Sequence, residues 1–196
     1  NHKLCRRVFR FLPNKEVQGV TTVSHRLLGP GTGRQPNHLH VLDAMGLVPA
    51  ITLGVAMSPN GAAHARVVGI EGDGGLLMNL GCLATVAQFR VPLYIVLIDN
   101  GLYEVTGGQP VPHAGRTDFA AIAKGAGVPR VYACNTRAEW EAVARAATTG
   151  DGPVFVALKV QGELGKPTPS APRPMAEQIA RFRTALGVSE GGRPEV

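Results

Sequence analysis

Aromatic residues are scarce in this chain, at 5%, and charged residues reach only 17%. There are three cysteines, and no apolar run approaches the ~20 residues that cross a bilayer. Cys5, Cys82 and Cys134 are odd in number and far apart. They make neither a disulfide framework nor a metal-binding spacing, and a reducing cytoplasmic setting is the expectation. Few aromatics and scattered Lys and Arg argue against nucleic-acid binding, despite a formal net charge of +6. Residues 1–7 carry no apolar signal core followed by a cleavage site, and no initiating Met. No membrane association is expected. What remains is ample apolar content, 44% of 196 residues, enough for one domain with a sizeable core.

The informative stretch begins at Val67-Val68-Gly69-Ile70-Glu71, an apolar run that feeds Gly72-Asp73-Gly74-Gly75. A helical pattern follows over residues 76–89. A second apolar run, Leu93-Tyr94-Ile95-Val96-Leu97-Ile98, ends in Asp99-Asn100-Gly101. Strand, turn, helix and strand in this order make the βαβ unit of a parallel sheet. Asp73 and Asn100 then stand just past the C-terminal strand ends, where open α/β sheets bind ligands.

Asp73 offers a hard carboxylate and Asn100 a neutral carbonyl oxygen. The glycines let backbone N–H groups approach an anion, and a helix start favours phosphate. This donor set suits Mg²⁺ carried by a diphosphate, because Mg²⁺ takes few protein ligands and fills its shell with phosphate oxygens and water. A dinucleotide site is the rival, but it needs G-x-G-x-x-G, and Gly72-x-Gly74 is followed by Leu77.

Gly72-Asp73-Gly74 followed by Asp99-Asn100 resembles the thiamine-diphosphate signature, which runs from GDG to NN over a similar gap. Gly74-Gly75-Leu76-Leu77-Met78-Asn79-Leu80-Gly81, Asp99-Asn100-Gly101 and Thr106-Gly107-Gly108-Gln109 most resemble sulfopyruvate and phosphonopyruvate decarboxylases. The resemblance covers residues 41–160. It implies thiamine diphosphate and Mg²⁺ as cofactors, with the metal held by Asp73, Asn100 and the main-chain carbonyl of Leu102. It further implies that Gly72, Gly74, Gly75 and Tyr103 line the cofactor. Ser24 and His25, after a strand at 17–23, stand where related enzymes contact the diphosphate. Met45 stands where a bulky apolar residue holds the cofactor bent. Two departures are visible: Asp43-Ala44 replaces the usual Gly-Ser, and Gly75 replaces a frequent Ser.

Elsewhere the chain reads as ordinary alternation. Residues 4–12 read as a short helix, 29–33 as a loop, 47–57 as a buried helix and 59–61 as a turn. His38, His40 and Asp43 invite a zinc reading, but no fourth ligand stands nearby and two His flanking one residue can share a strand face. Residues 104–115 form a polar Gly/Pro-rich loop that can close over a substrate, with Gln109 and His113 as its candidate polar contacts. Thr117-Asp118 caps a helix to 125–127, and 128–134 is a strand. Thr136-x-x-Glu139 is a capping box, and 153–160 is an apolar strand. Residues 165–174 are a Pro-rich linker before an amphipathic helix at 175–186, with apolar residues at 175, 179, 182 and 186.

The expected fold is α/β, a doubly wound, mainly parallel sheet sandwiched by helices. Residues 1–165 form the diphosphate-binding domain, and 166–196 the linker and last helix. The resemblance accounts for this domain alone, so the pyrimidine-binding half with its activating Glu is expected on a separate subunit, in a hetero-oligomer of the α2β2 type or larger. The implied reaction is decarboxylation of a small anionic 2-oxo acid. A carboligase of acetolactate synthase type and a non-catalytic cofactor-binding subunit stay open at this stage.

Overall fold

The computed structural model describes residues 17–21, 36–41, 44–58, 66–147, 151–162 and 173–188. Among these residues eight strands run in chain order: β1 (Val17–Thr21), β2 (His38–His40), β3 (Arg66–Gly72), β4 (Leu93–Asp99), β5 (Leu102–Tyr103), β6 (Gln109–Pro110), β7 (Arg130–Cys134) and β8 (Val154–Lys159). Six helices among the described residues join them: α1 (Val48–Met57), α2 (Asp73–Leu77), α3 (Cys82–Gln88), α4 (Phe119–Gly125), α5 (Arg137–Ala147) and α6 (Met175–Ala185). The main sheet has six strands in the order β2-β1-β3-β4-β8-β7. Every neighbouring pair is parallel. The chain winds outward from β1 to β2, then crosses to β3 on the other side of β1. This is a doubly wound α/β fold, and ligands of such sheets bind beyond the C-terminal strand ends near the reversal.

Both faces of the central strands are covered, which explains why their sequences are nearly all apolar. Side chains alternate, so each strand feeds two cores. Val68, Ile70, Val96, Ile98, Val156 and Leu158 pack with Trp140 and Ala144 of α5. Val67, Ile95, Leu97 and Phe155 pack with Leu53 of α1, Leu83 of α3 and Phe119 of α4.

Local signals hold where they are strongest. Asp118 caps α4 by accepting from Ala121 N at 2.9 Å. The capping box before α5 is reciprocal: Glu139 N donates to Thr136 Oγ1 at 3.2 Å, and Thr136 N donates to Glu139 Oε2 at 3.0 Å.

Two expectations are corrected. The single helix over 76–89 is two short ones, α2 and α3, joined by a tight turn. Met78 N bonds to Gly75 O and Cys82 N to Asn79 O, a three-residue spacing that narrows the coil. Asn79 turns its amide away to Gly46 O, at 3.2 Å, so a tertiary bond replaces helix continuity. In α6, Ile179 is exposed and Gln178 takes the buried face with Phe182. Gln178 is satisfied there: Oε1 accepts from His40 N at 3.2 Å, and Nε2 donates to Arg173 O at 2.9 Å. An internal amide with both ends paired is tolerated in a core, whereas hydropathy alone assigns it to solvent.

The helix expected at 4–12, the loop at 29–33, the turn at 59–61 and most of the linker at 165–174 lie outside the described residues. So do Ser24, His25 and Asp43. Among the described residues, no helix is long and apolar enough to cross a membrane. No cluster of three His, Cys, Asp or Glu that could hold a metal occurs there either, and His40 sits in β2 as a buried strand residue.

Candidate active site

The site grows from the ends of β3 and β4. β3 stops at Gly72, and α2 begins at once, so Asp73 is the first helical residue. A carboxylate in a first turn faces the positive end of the helix dipole. Asp73 is buried, and its two oxygens have separate partners. Oδ1 accepts from Gly74 N at 2.9 Å, and Oδ2 accepts from Gly101 N at 2.7 Å. The second bond ties the turn after β4 to the turn after β3.

That second turn is shaped by Asn100 and Gly101. Asn100 Oδ1 accepts from Leu102 N at 2.9 Å, an Asx turn. Gly101 has φ +72, a left-handed conformation that a side chain disfavours. The chain then enters β5, which pairs antiparallel with β6 inside what reads in sequence as an irregular loop. Leu102 stands opposite Pro110, which has no N–H to give. Leu102's carbonyl is therefore not claimed by the residue facing it. Carboxylate, amide oxygen and main-chain carbonyl thus come from adjoining turns, all hard oxygen donors.

Burial is the main cause that pushes the Asp73 carboxyl up to about 6, against the pull of the Gly101 and Gly74 bonds; the nearby Asp99 charge raises it further. A buried carboxylate with raised pKa suits a divalent cation, which restores the charge balance lost on burial. A test follows. The folded pKa lies above the unfolded value of 3.8, so the native state binds more protons between about pH 4 and 6. Stability of the metal-free chain is expected to fall as pH rises through that window, by roughly 2–3 kcal/mol in all. Adding Mg²⁺ at pH 7 should recover it. Thermal melts at pH 4.5 and 7 of the chain and of Asp73→Asn, with and without the cation, isolate the Asp73 contribution; the same pH dependence in both metal-free proteins contradicts it.

The surrounding residues close the site. The Tyr103 ring packs on Gly74, where a side chain would overlap it. A Cβ on Gly75 would overlap Glu71 Oε1, and Glu71 Oε1 itself accepts from Gly72 N at 3.1 Å. The absent Ser at position 75 thus has a cause: the buried Glu71 carboxylate occupies that space. Gly46 lies over α2, since a Cβ there would come within 2.8 Å of Gly75 O, and Met45 precedes it in the chain. Met45 is half-buried there.

The structure therefore brings together Met45, Gly72, Asp73, Gly74, Gly75, Asn100, Leu102 and Tyr103. Gln109 pairs with Tyr103 across the small ladder, but its side chain is exposed and folds back on Gly107. His113 is exposed on the following turn, with φ +51. Gln109 reaches that group only through its strand pairing with Tyr103, and no side-chain contact given among the described residues joins His113 to it. Cys82 and Cys134 are buried, with thiols pushed up to about 11 chiefly by burial, so they are not nucleophiles. The sequence reading passes over Glu71, Asn79 and Lys159, although a Lys ending an otherwise apolar strand is a visible signal. Lys159 pairs with Asp99 at 3.0 Å.

A family model described as thiamine pyrophosphate enzyme, C-terminal TPP binding domain, matches residues 19–158. The chain belongs to this family. Among relatives of this thiamine pyrophosphate enzyme chain, a phosphonopyruvate decarboxylase of Streptomyces hygroscopicus is 32% identical over 80% of the chain. A sulfopyruvate decarboxylase subunit beta of Methanothermobacter thermautotrophicus is 38% identical over 64% of it. The chain spans 40% of the first relative's length and 63% of the second's. In fold, it is similar to the thiamine diphosphate-dependent 4-hydroxybenzoylformate decarboxylase of Rhodococcus jostii RHA1. The TM-score is 0.67 at 19% identity, over 83% of this chain and 32% of that one.

Proposed function

We propose that this thiamine pyrophosphate enzyme chain is the diphosphate-binding subunit of a two-chain decarboxylase for a small anionic 2-oxo acid. The observation that carries the reading is the bond from Gly101 N to Asp73 Oδ2, which draws the turns after β3 and β4 into one oxygen-lined site. In this reading Asp73, Asn100 Oδ1 and the Leu102 carbonyl hold Mg²⁺. The backbone at Gly72, Gly74 and Gly75, with Ser24 and His25, receives the diphosphate. Tyr103 and Met45 wall the cofactor, and Met45 props its bend.

When bound, thiamine diphosphate supplies the electron sink for loss of carbon dioxide from a 2-oxo acid. This chain's own residues position and neutralise. The two turns fix the diphosphate end, and the glycines at 72, 74 and 75 let the backbone come close to it. The activating Glu is assigned to the partner. Three methanogen relatives are named as beta subunits, which supports a partner on a separate chain. The subunits so assembled form a hetero-oligomer of the α2β2 type or larger.

The substrate is proposed to carry a second anion, as sulfopyruvate and phosphonopyruvate do. The names of the relatives support this, with the net charge of +6 as a weaker argument. Gln109 and His113, on the loop after the ladder, are the proposed contacts for that anion. A panel of 2-oxo acids given to the assembled enzyme tests the assignment. Preference for the doubly anionic acids is expected; far better turnover of pyruvate or an aromatic 2-oxo acid contradicts it.

A further inference from the structure

Three charged side chains stand in one row across the C-terminal edge of the sheet. Gly72 of β3 is in register with Ile98 of β4, and Asp99 of β4 with Lys159 of β8. Asp73, Asp99 and Lys159 therefore follow one another over three adjacent strands. Lys159 Nζ lies 3.0 Å from Asp99 Oδ2, and the register of β3 and β4 sets Asp99 beside the start of α2, where Asp73 stands. Val160 N donates to Asp99 O at 2.9 Å, which pins the end of β8 to the end of β4. Asp99 is buried, while the Lys159 side chain is 40% exposed and keeps its hydration.

We propose that Lys159 is a positioning residue of the cation site: by holding Asp99, it makes the site bind a divalent cation weakly alone and strongly together with diphosphate. The inference rests on the reading of Asp73, Asn100 and Leu102 as cation ligands. Two adjacent carboxylates with no counter-charge would present two negative charges and hold a divalent cation unaided. With the Lys159 ammonium in place, the three side chains sum to one negative charge. A bound divalent cation then leaves one positive charge, which attracts the diphosphate. The ion pair also keeps an Asp99 oxygen engaged by Lys159, so that oxygen is not offered to the cation as a further ligand. Coupling of this kind is reciprocal: cation and diphosphate raise each other's affinity by the same factor.

The test uses Mn²⁺ as the probe on the full chain, with free Mn²⁺ read by its paramagnetic resonance signal. Lys159→Met is expected to bind Mn²⁺ alone roughly three- to tenfold more tightly than the unsubstituted chain, a modest factor because the ammonium is half in water. At saturating Mn²⁺, the same variant should bind thiamine diphosphate more weakly. Lys159→Arg should match the unsubstituted chain, since the charge is kept. Should Lys159→Met not fold, Asp99→Asn carries the test, because it keeps the shape and removes a charge; its Mn²⁺ affinity should drop by a similar factor. The double variant Asp99→Asn/Lys159→Met should return toward the starting affinity. A purely structural role would lower melting temperatures and leave the coupling between Mn²⁺ and thiamine diphosphate unmoved. Equal Mn²⁺ affinity in folded Lys159→Met and the unsubstituted chain overturns the proposal while leaving the site reading intact. If the unsubstituted chain binds no Mn²⁺ with or without thiamine diphosphate, the site reading falls, and the role of Lys159 with it.

Discussion

Asp73→Ala abolishes metal-dependent binding of thiamine diphosphate, with affinity expected to fall by more than about 100-fold. Loss of an outer partner of a metal ligand costs about 10- to 100-fold in metal affinity, and loss of the ligand itself exceeds that. Three things go at once. The cation loses its anionic ligand, Gly74 N loses an acceptor, and the Gly101 bond that joins the two turns disappears. The fold itself should survive. Removing a buried carboxylate whose ionised form is disfavoured by burial offsets the two lost hydrogen bonds, each worth about 1 kcal/mol. Calorimetry with Mg²⁺ present, paired with a thermal melt, separates the two effects. Unchanged cofactor affinity in a folded Asp73→Ala protein removes the assignment.

The second large effect concerns assembly. Alone, the chain is expected to show no decarboxylase activity above that of free cofactor. In the proposed site this chain's residues serve the diphosphate and the metal, and the activating Glu is assigned to the partner. The surface beside the site fits a covered face. Leu47 and Met78 are 45% and 56% exposed, and Met78 Cβ lies 3.4 Å from where a Cβ on Gly46 would sit. Bulky apolar side chains left in water next to a site mark an interaction surface more often than an isolated one does. Mass measurement and activity assay, with and without the pyrimidine-binding subunit, check this. Full activity from the lone 196-residue chain contradicts it.

How much of this was legible in the sequence follows from the range of each force. The βαβ unit was legible because apolar period and turn residues are local. The placement of Asp73 and Asn100 just past two strand ends is legible because both motif turns directly follow apolar runs. The caps at Asp118 and Thr136 were legible for the same reason: each bond spans three residues. What escaped depends on distant partners. The break between α2 and α3 is tied to Asn79 reaching Gly46, and buried Gln178 to His40, a separation of 138 residues. The lack of Ser at position 75 is explained only when Glu71 is seen filling its place. The role of Lys159 is hidden in the sequence because the apolar run around it dominates the pattern, while its partner Asp99 lies on a different strand. The β5–β6 ladder was hidden by its brevity, two residues a side, within a segment rich in Gly and Pro.

The central claim is that the turns at Asp73 and Asn100 hold a diphosphate through a divalent cation. The most direct measurement is calorimetric titration of thiamine diphosphate into the protein assembled with its partner, once with Mg²⁺ and once with a chelator. Saturable binding that appears only with Mg²⁺ is predicted. Equal binding in the chelator, or none in either condition, contradicts the claim.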